Sequence, residues 1–181
     1  MPALWIDFVN SHARDYRGRG QDQDHLIDPA WIRGLLERWR LGAAGRREPV
    51  DATALRALRS ALQRMVRALV AGKPPARRDL AALNRPLSVP AAQVRIAAGP
   101  PAKLDIRASE AGATDRLAFA VALSFAEFLV SGRHDRLRLC DNHDCQWVFL
   151  DETRSGTRRW CAQTCGNLIK VRRFRQQRRA P

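Results

Sequence analysis

No cysteine occurs in the first 139 residues of this 181-residue chain, and no acidic residue occurs after Glu152. Long apolar runs are missing as well. The longest, Leu117 to Ala126, is interrupted by Ser124 and soon followed by Glu127, well short of the ~20 residues that cross a bilayer. The start, Met1-Pro2-Ala3-Leu4-Trp5-Ile6-Asp7, has no basic segment leading into an apolar stretch, so an export signal is not expected. These absences point to a soluble cytoplasmic protein without a membrane partner. Catalytic signatures are equally scarce. There is no glycine elbow and no phosphate-cradling loop, and Ser11 and His12, adjacent in sequence, diverge in direction. The expectation is a protein that is not an enzyme.

What the chain does have is four cysteines gathered into one stretch: Cys140 and Cys145, then Cys161 and Cys165. Two close pairs separated by a hairpin-sized gap suit a tetrahedral thiolate site for one structural Zn²⁺. Two disulfides or four unliganded thiols satisfy the same count. Disulfides persist mainly in oxidising compartments, and chance would scatter buried thiols along the chain. His143 could replace one sulfur, although two cysteine pairs already fill four positions. Catalytic zinc keeps a position open for water or substrate, so a shell filled by thiolates reads as structural. The glutamate of a zinc deaminase is also missing from Asn142-His143-Asp144-Cys145.

The charge balance names a partner class. Lys plus Arg number 32 against 18 Asp plus Glu, a formal net of +14, and from residue 132 onward the count is 12 basic to 5 acidic. The cations concentrate beside the cysteines as Arg154, Arg158, Arg159, Lys170, Arg172, Arg173, Arg175, Arg178 and Arg179. Such density attracts a polyanion and releases its condensed counterions, which makes DNA the natural partner. A solvated basic tail, an anionic membrane surface or an acidic protein partner would satisfy the same electrostatics.

Forty-five per cent hydrophobic residues in a chain of this length can bury one sizeable core and still carry a small metal-nucleated module, so two units are expected, 1–132 and 133–181. Asp28-Pro29 reads as N-cap and first-turn proline of a helix through Trp31, Leu35, Leu36 and Trp39, ending near Gly42. Asp51 caps a longer helix. Leu55, Leu58, Leu62, Met65, Val66 and Leu69 form its core stripe, with Arg56, Arg59, Gln63 and Arg67 on the other side. Lys73-Pro74-Pro75 ends it, and Asp79 to Asn84 is expected to form a short helical turn before Pro86. Val94–Ile96 and Leu104–Arg107 alternate as a small β-hairpin joined through Gly99-Pro100-Pro101. A nearly all-apolar helix from Thr114 or Asp115 through Leu129 follows, closed by Gly132. In the C-terminal unit the expected strands are Leu137–Leu139, Trp147–Leu150 and a return strand Arg158–Trp160 after a bend at Ser155-Gly156-Thr157. The last cysteine pair opens a helix, with Leu168, Val171 and Phe174 expected toward the metal and Lys170, Arg173 and Gln177 opposite. Asp7 and Asn10, polar residues in the apolar segment Trp5 to Asn10, are candidates for a small-molecule pocket or for internal hydrogen bonding.

The run Cys140-x4-Cys145, Trp147-Val148-Phe149-Leu150-Asp151, Arg158-Arg159-Trp160-Cys161 and Cys165-Gly166-Asn167, with Lys170-Val171-Arg172-Arg173 behind it, resembles the CGNR zinc finger. The segments Ile6 to Ser11 and Leu26 to Trp31 are similar to the ABATE domain that accompanies this finger in bacterial stress-responsive and transcriptional regulators. The resemblance implies an α+β fold: a mainly helical N-terminal domain with a small hairpin, then a treble-clef-like finger whose zinc ligands are Cys140, Cys145, Cys161 and Cys165. It further implies a DNA-binding regulator whose first domain senses a small-molecule effector or forms a homodimer. The alternative is a zinc-stabilised module that recognises an acidic protein. Two departures stand out: Leu168 replaces the arginine of the motif, and Cys161-x3-Cys165 is one residue shorter than the usual spacing.

Overall fold

The computed structural model describes residues 3–41, 49–88, 92–97, 103–108 and 111–178. Helix α1, Leu4–Val9, buries Leu4, Trp5, Phe8 and Val9, a spacing that places all four on one face. Two short strands, β1 (His12–Ala13) and β2 (Gln23–Asp24), pair antiparallel behind it. In α2, Pro29–Arg38, the Asp28 side chain accepts the Ala30 N–H as expected. The helix stops at Arg38, and Arg40 turns the chain at φ 55°; Gly42, the expected stop, lies outside the described residues.

Helix α3, Ala52–Val70, is capped by Asp51 through the N–H groups of Thr53 and Ala54. Its inward stripe is Leu55, Leu58, Leu62, Met65 and Val66, as the periodicity required. Arg59 departs from the expectation. It is 7% exposed, and its guanidinium donates to Ser11 Oγ at 2.9 Å and to both Asp24 oxygens at 2.6 and 2.9 Å. Arg56 Nε reaches the same carboxylate at 2.7 Å. The bidentate Arg59 contact holds the Asp24 carboxyl well below the usual range and ties β2 to α3.

Helix α4, Arg77–Leu87, is longer than the turn expected from Asp79 to Asn84, and it contains Pro86. Buried Asp79 accepts Arg64 of α3 at 2.6 Å and fixes the first turn, while Leu83 enters the core. Pro86 lies in the last turn, where its missing N–H costs a single helical hydrogen bond. Strands β3 (Ala92–Ala97) and β4 (Lys103–Ala108) form the expected antiparallel hairpin, Val94 opposite Ile106. Its Gly99-Pro100-Pro101 connection falls outside the described residues.

Helix α5, Ala113–Val130, is the central element. It begins at Ala113, slightly earlier than expected, with Gly112 as N-cap, and Thr114 Oγ1 accepts the Asp51 N–H of the neighbouring helix cap. Leu117, Val121, Ala122, Phe125 and Phe128 are buried, and Trp5 meets Phe125 edge-on with ring centroids 5.1 Å apart. Burying each large side chain here contributes about 1.5–3 kcal/mol. Gly132, at φ 70°, ends the segment.

Strands β5 (Leu137–Leu139) and β6 (Val148–Leu150) pair antiparallel, and α6, Gln163–Gln177, closes the described chain. The expected return strand Arg158–Trp160 is not formed: the Arg158 N–H is committed to Asp151 Oδ2 at 2.7 Å instead of a ladder. Alternation along β6 links two cores. Val148 belongs to the core built by α1, α3 and α5, whereas Phe149 belongs to the cluster of Cys140, Cys145 and Cys165 with Tyr16 and Trp160. Among the described residues no helix is long and apolar enough to cross a membrane. The fold is α+β, a mainly helical body with small antiparallel hairpins and a C-terminal four-cysteine finger.

Candidate metal centre and basic helix

Cys140 stands at the end of β5 and donates its N–H to the Trp147 carbonyl at 2.9 Å, so the chain between them must turn tightly. The Cys145 N–H closes that knuckle on the Asn142 carbonyl at 2.8 Å, and Gln146 leaves it in the left-handed region at φ 49°. Cys161 precedes α6 and Cys165 lies in its first turn, where the helix dipole favours a thiolate. The Cys161 sulfur lies 3.7 Å from that of Cys145 and 3.8 Å from that of Cys165, and all four sulfurs lie within 4.8 Å of one another. Zn–S bonds of about 2.3 Å in a tetrahedron give S···S edges of about 3.8 Å, whereas a disulfide needs about 2.05 Å. The cysteines are free thiols.

The sulfurs compete for protons at this distance. Hydrogen bonding from Cys161 draws the Cys145 thiol down to about 6, while donating that same bond holds the Cys161 proton far above the ordinary thiol range. Burial pushes Cys165 up to about 11. Four thiolates this close repel one another unless a divalent ion compensates them. Two N–H groups support the sulfurs: Cys161 N to Cys140 Sγ at 3.5 Å, and Asn142 Nδ2 to Cys165 Sγ at 3.8 Å. The set fits one structural zinc ion. His143 stays outside it, in solvent and 2.9 Å from Asp144.

Sequence reasoning missed the bracing residues. Asn142 is 0% exposed and also donates to the Tyr16 carbonyl at 2.8 Å, so the bracing falls to it, with Asn167 exposed on α6. Gly166 is where it is because a Cβ there would come 3.3 Å from the Trp160 ring. Asp151, buried beside β6, accepts from Thr153 N, Thr153 Oγ1 and Arg158 N. Its Asp-x-Thr spacing was a legible turn signal.

The basic residues divide into two groups. Arg172 is tied to Asp144 at 2.6 Å and to the Arg17 carbonyl at 2.7 Å; Arg159 pairs with Asp141 at 2.5 Å; Arg158 donates to Trp160 O at 2.9 Å and lies over the Phe149 ring. Lys170, Arg173, Arg175 and Arg178 are exposed, the last stacked on Phe174 at 4.5 Å; Arg179 lies outside the described residues. The helix is rotated from the orientation the sequence suggested. Cys165 and Gly166 are buried and Arg172 is half-buried against Asp144, Leu168 is half-buried, and Val171 is 45% and Phe174 53% exposed. The close seat of Gly166 on Trp160 fixes that rotation.

Asp7 and Asn10 are engaged with different partners, and Asn10 lines a small cleft that Asp7 does not. Asp7 accepts Trp39 Nε1 at 3.1 Å and Arg38 at 3.3 Å. Asn10, 5% exposed, spends its amide on Val148, receiving the N–H and donating to the carbonyl, both at 2.9 Å.

Four sulfurs that gather within 4.8 Å of one another, close a knuckle and root a helix define a structural zinc finger, here carried on a helical body. Residues 2–132 match the ABATE family, described as "putative stress-induced transcription regulator", and residues 136–178 match the CGNR zinc finger. The chain belongs to the ABATE family and carries a CGNR finger behind that domain. These are regulatory and zinc-finger families, not enzyme families, and transcription regulation is the role ascribed to the first. No curated protein matches the chain.

Proposed function

We propose that this chain is a one-component transcription regulator that binds DNA through the finger and α6, with residues 133–181 as the DNA-binding unit and residues 1–132 as the unit that senses an effector or dimerises. The observation that carries the reading is the acid-free run from Arg154 onward, whose outer helical part exposes Lys170, Arg173, Arg175 and Arg178 from a metal-anchored root. A rigid helix presenting cations fits phosphates better than a loose tail does, because less side-chain and backbone order is lost on contact. Arg158, Arg159 and Arg172 have shape-holding partners and contribute field more than direct contacts; Arg179 belongs to the same run. We assign the chain no catalytic reaction.

The test is fluorescence anisotropy with a labelled duplex over a series of salt concentrations. Affinity is expected to fall with a log–log slope of about 0.9 per phosphate neutralised. Absence of binding, or binding indifferent to salt, overturns the reading. One observation favours a second: exposed Val171 and Phe174 on the cationic helix suit an acidic protein partner with an apolar patch. Binding that survives nuclease treatment and depends on Phe174 would select it.

A further inference from the structure

A small cleft opens where three elements converge on the back of the knuckle: His12 and Arg14 from β1 and its continuation, Gln63 and Arg67 one turn apart on α3, and Gln146 and Trp147 leaving Cys145. Its floor is set by the Asn10 clamp on Val148, so the walls are held in place by the core. The free space is about 60 Å³, which admits about four or five water-sized groups, the heavy-atom count of one phosphate.

Charge in the cleft is unbalanced. Among the described residues that line it none is a carboxylate to set against the two arginines, and the thiolate of Cys145 is committed to the metal. Elsewhere on α3, Arg56 and Arg59 hold Asp24 and Arg64 holds Asp79, but neither Arg67 nor Arg14 has a carboxylate partner among the described residues. Gln63 donates to the Val9 carbonyl at 3.2 Å, which fixes its amide toward the cleft wall. Gln146 holds a left-handed backbone without being glycine, and Trp147, its neighbour, is a large apolar residue left partly in solvent. Two arginines without carboxylate partners, a left-handed non-glycine turn and a partly exposed aromatic that line one cavity have the makings of a binding site.

We propose that this cleft binds a phosphate group, with Arg14 and Arg67 as its charged donors, His12 and Gln146 as polar lining, and Trp147 as an apolar wall. Guanidiniums suit this ligand because their planar donors meet phosphate oxygens two at a time. The phosphate has two sources, the backbone of a bound duplex or a free phosphomonoester. Cys145 lines the same cleft, so an occupant touches the metal knuckle as well as β1 and α3. The proposal gives the effector half of the functional reading a place and a chemistry; it rests on that reading only for its regulatory consequence.

The experiment titrates the full-length, zinc-loaded protein with inorganic phosphate at constant ionic strength, following the Trp147 indole N–H resonance, assigned through Trp147→Phe. Saturable binding is expected, with Arg14→Gln and Arg67→Gln each weakening it by about tenfold, and Arg33→Gln, on the exposed side of α2, leaving it unchanged. Far-UV circular dichroism confirms that each variant is folded. The second arm repeats the titration with a labelled duplex. Phosphate that displaces the duplex, with Arg67→Gln weakening both ligands, identifies the backbone as source; phosphate that binds without displacing it identifies a free ligand. The proposal is overturned if the three variants titrate alike, or if phosphate does not bind and Arg14→Gln and Arg67→Gln leave duplex binding intact. A duplex that never binds sinks the DNA reading while the phosphate titration still decides this one.

Discussion

Replacing Asn10 by alanine removes both hydrogen bonds that clamp α1 to β6 and leaves the Val148 N–H and carbonyl without partners in a core where Val148 itself is buried. Each buried polar group stranded in this way costs about 1–3 kcal/mol, so the pair should cost about 2–6 kcal/mol. Against a total stability of about 5–15 kcal/mol that is a large fraction. Urea unfolding of the zinc-loaded protein should show it. With a slope of about 2 kcal/mol per molar, the midpoint falls by about 1–3 M. The control is Asp7→Asn, which keeps an acceptor for Trp39 Nε1 and loses only a solvent-facing ion pair to Arg38, so its cost should stay within about 0.5 kcal/mol. An Asn10→Ala loss below about 1 kcal/mol, or no greater than that of Asp7→Asn, would refute the clamp and reopen Asn10 as a ligand-facing residue.

The zinc centre gives a second expectation: Cys145→Ser loses bound zinc by elemental analysis and raises amide exchange over residues 137–175, while α3 and α5 keep their protection, because ligation and local folding are coupled in small zinc units. Unchanged metal content contradicts it. Asp24 sets an acid limit. Its carboxyl is depressed chiefly by the Arg59 hydrogen bond, so its stabilisation is present above the unfolded value of about 4 and is lost as pH falls below that toward the depressed folded value. Asp24→Asn should therefore flatten the acid limb of a stability–pH curve, and an unaltered limb counts against the Arg59 pairing. On α6, replacing Lys170, Arg173 and Arg175 together with alanine should reduce the DNA salt slope by about 3 without moving the melting temperature, whereas Arg172→Ala should lower the melting temperature because it frees Asp144. A reversed pattern refutes the division of the basic residues.

Local signals in the sequence carried far. Asp28 and Asp51 cap their helices as their spacing required, the α3 stripe is buried where its period placed it, and four cysteines in one stretch assemble at one point. What escaped was decided by partners far along the chain. Arg59 looks like a surface residue until Asp24, 35 positions away, is brought beside it. The face of α6 was misjudged at Val171 and Phe174 because they keep a convincing helical period with Leu168, yet the side that meets the body is the one carrying Gly166 against Trp160 and Arg172 against Asp144. Of the two polar residues in α1, alternation and composition could not tell that one would hold a backbone 138 residues away.

The loop from Asp15 to Arg19 offers its carbonyls to the finger: Tyr16 to Asn142 and Arg17 to Arg172, partners 126 and 155 positions downstream, while Gly18, at φ 72°, has no room for a Cβ beside Asp144. During synthesis this early loop leaves the ribosome long before anything exists for it to hold. Asp15 can close the loop locally on the Arg17 and Arg19 N–H groups, but the Tyr16 and Arg17 carbonyls gain their partners only once Asn142 and Arg172 have been made. A finger exchanged between paralogues without residues 15–19 would therefore arrive at a seat cut for another occupant.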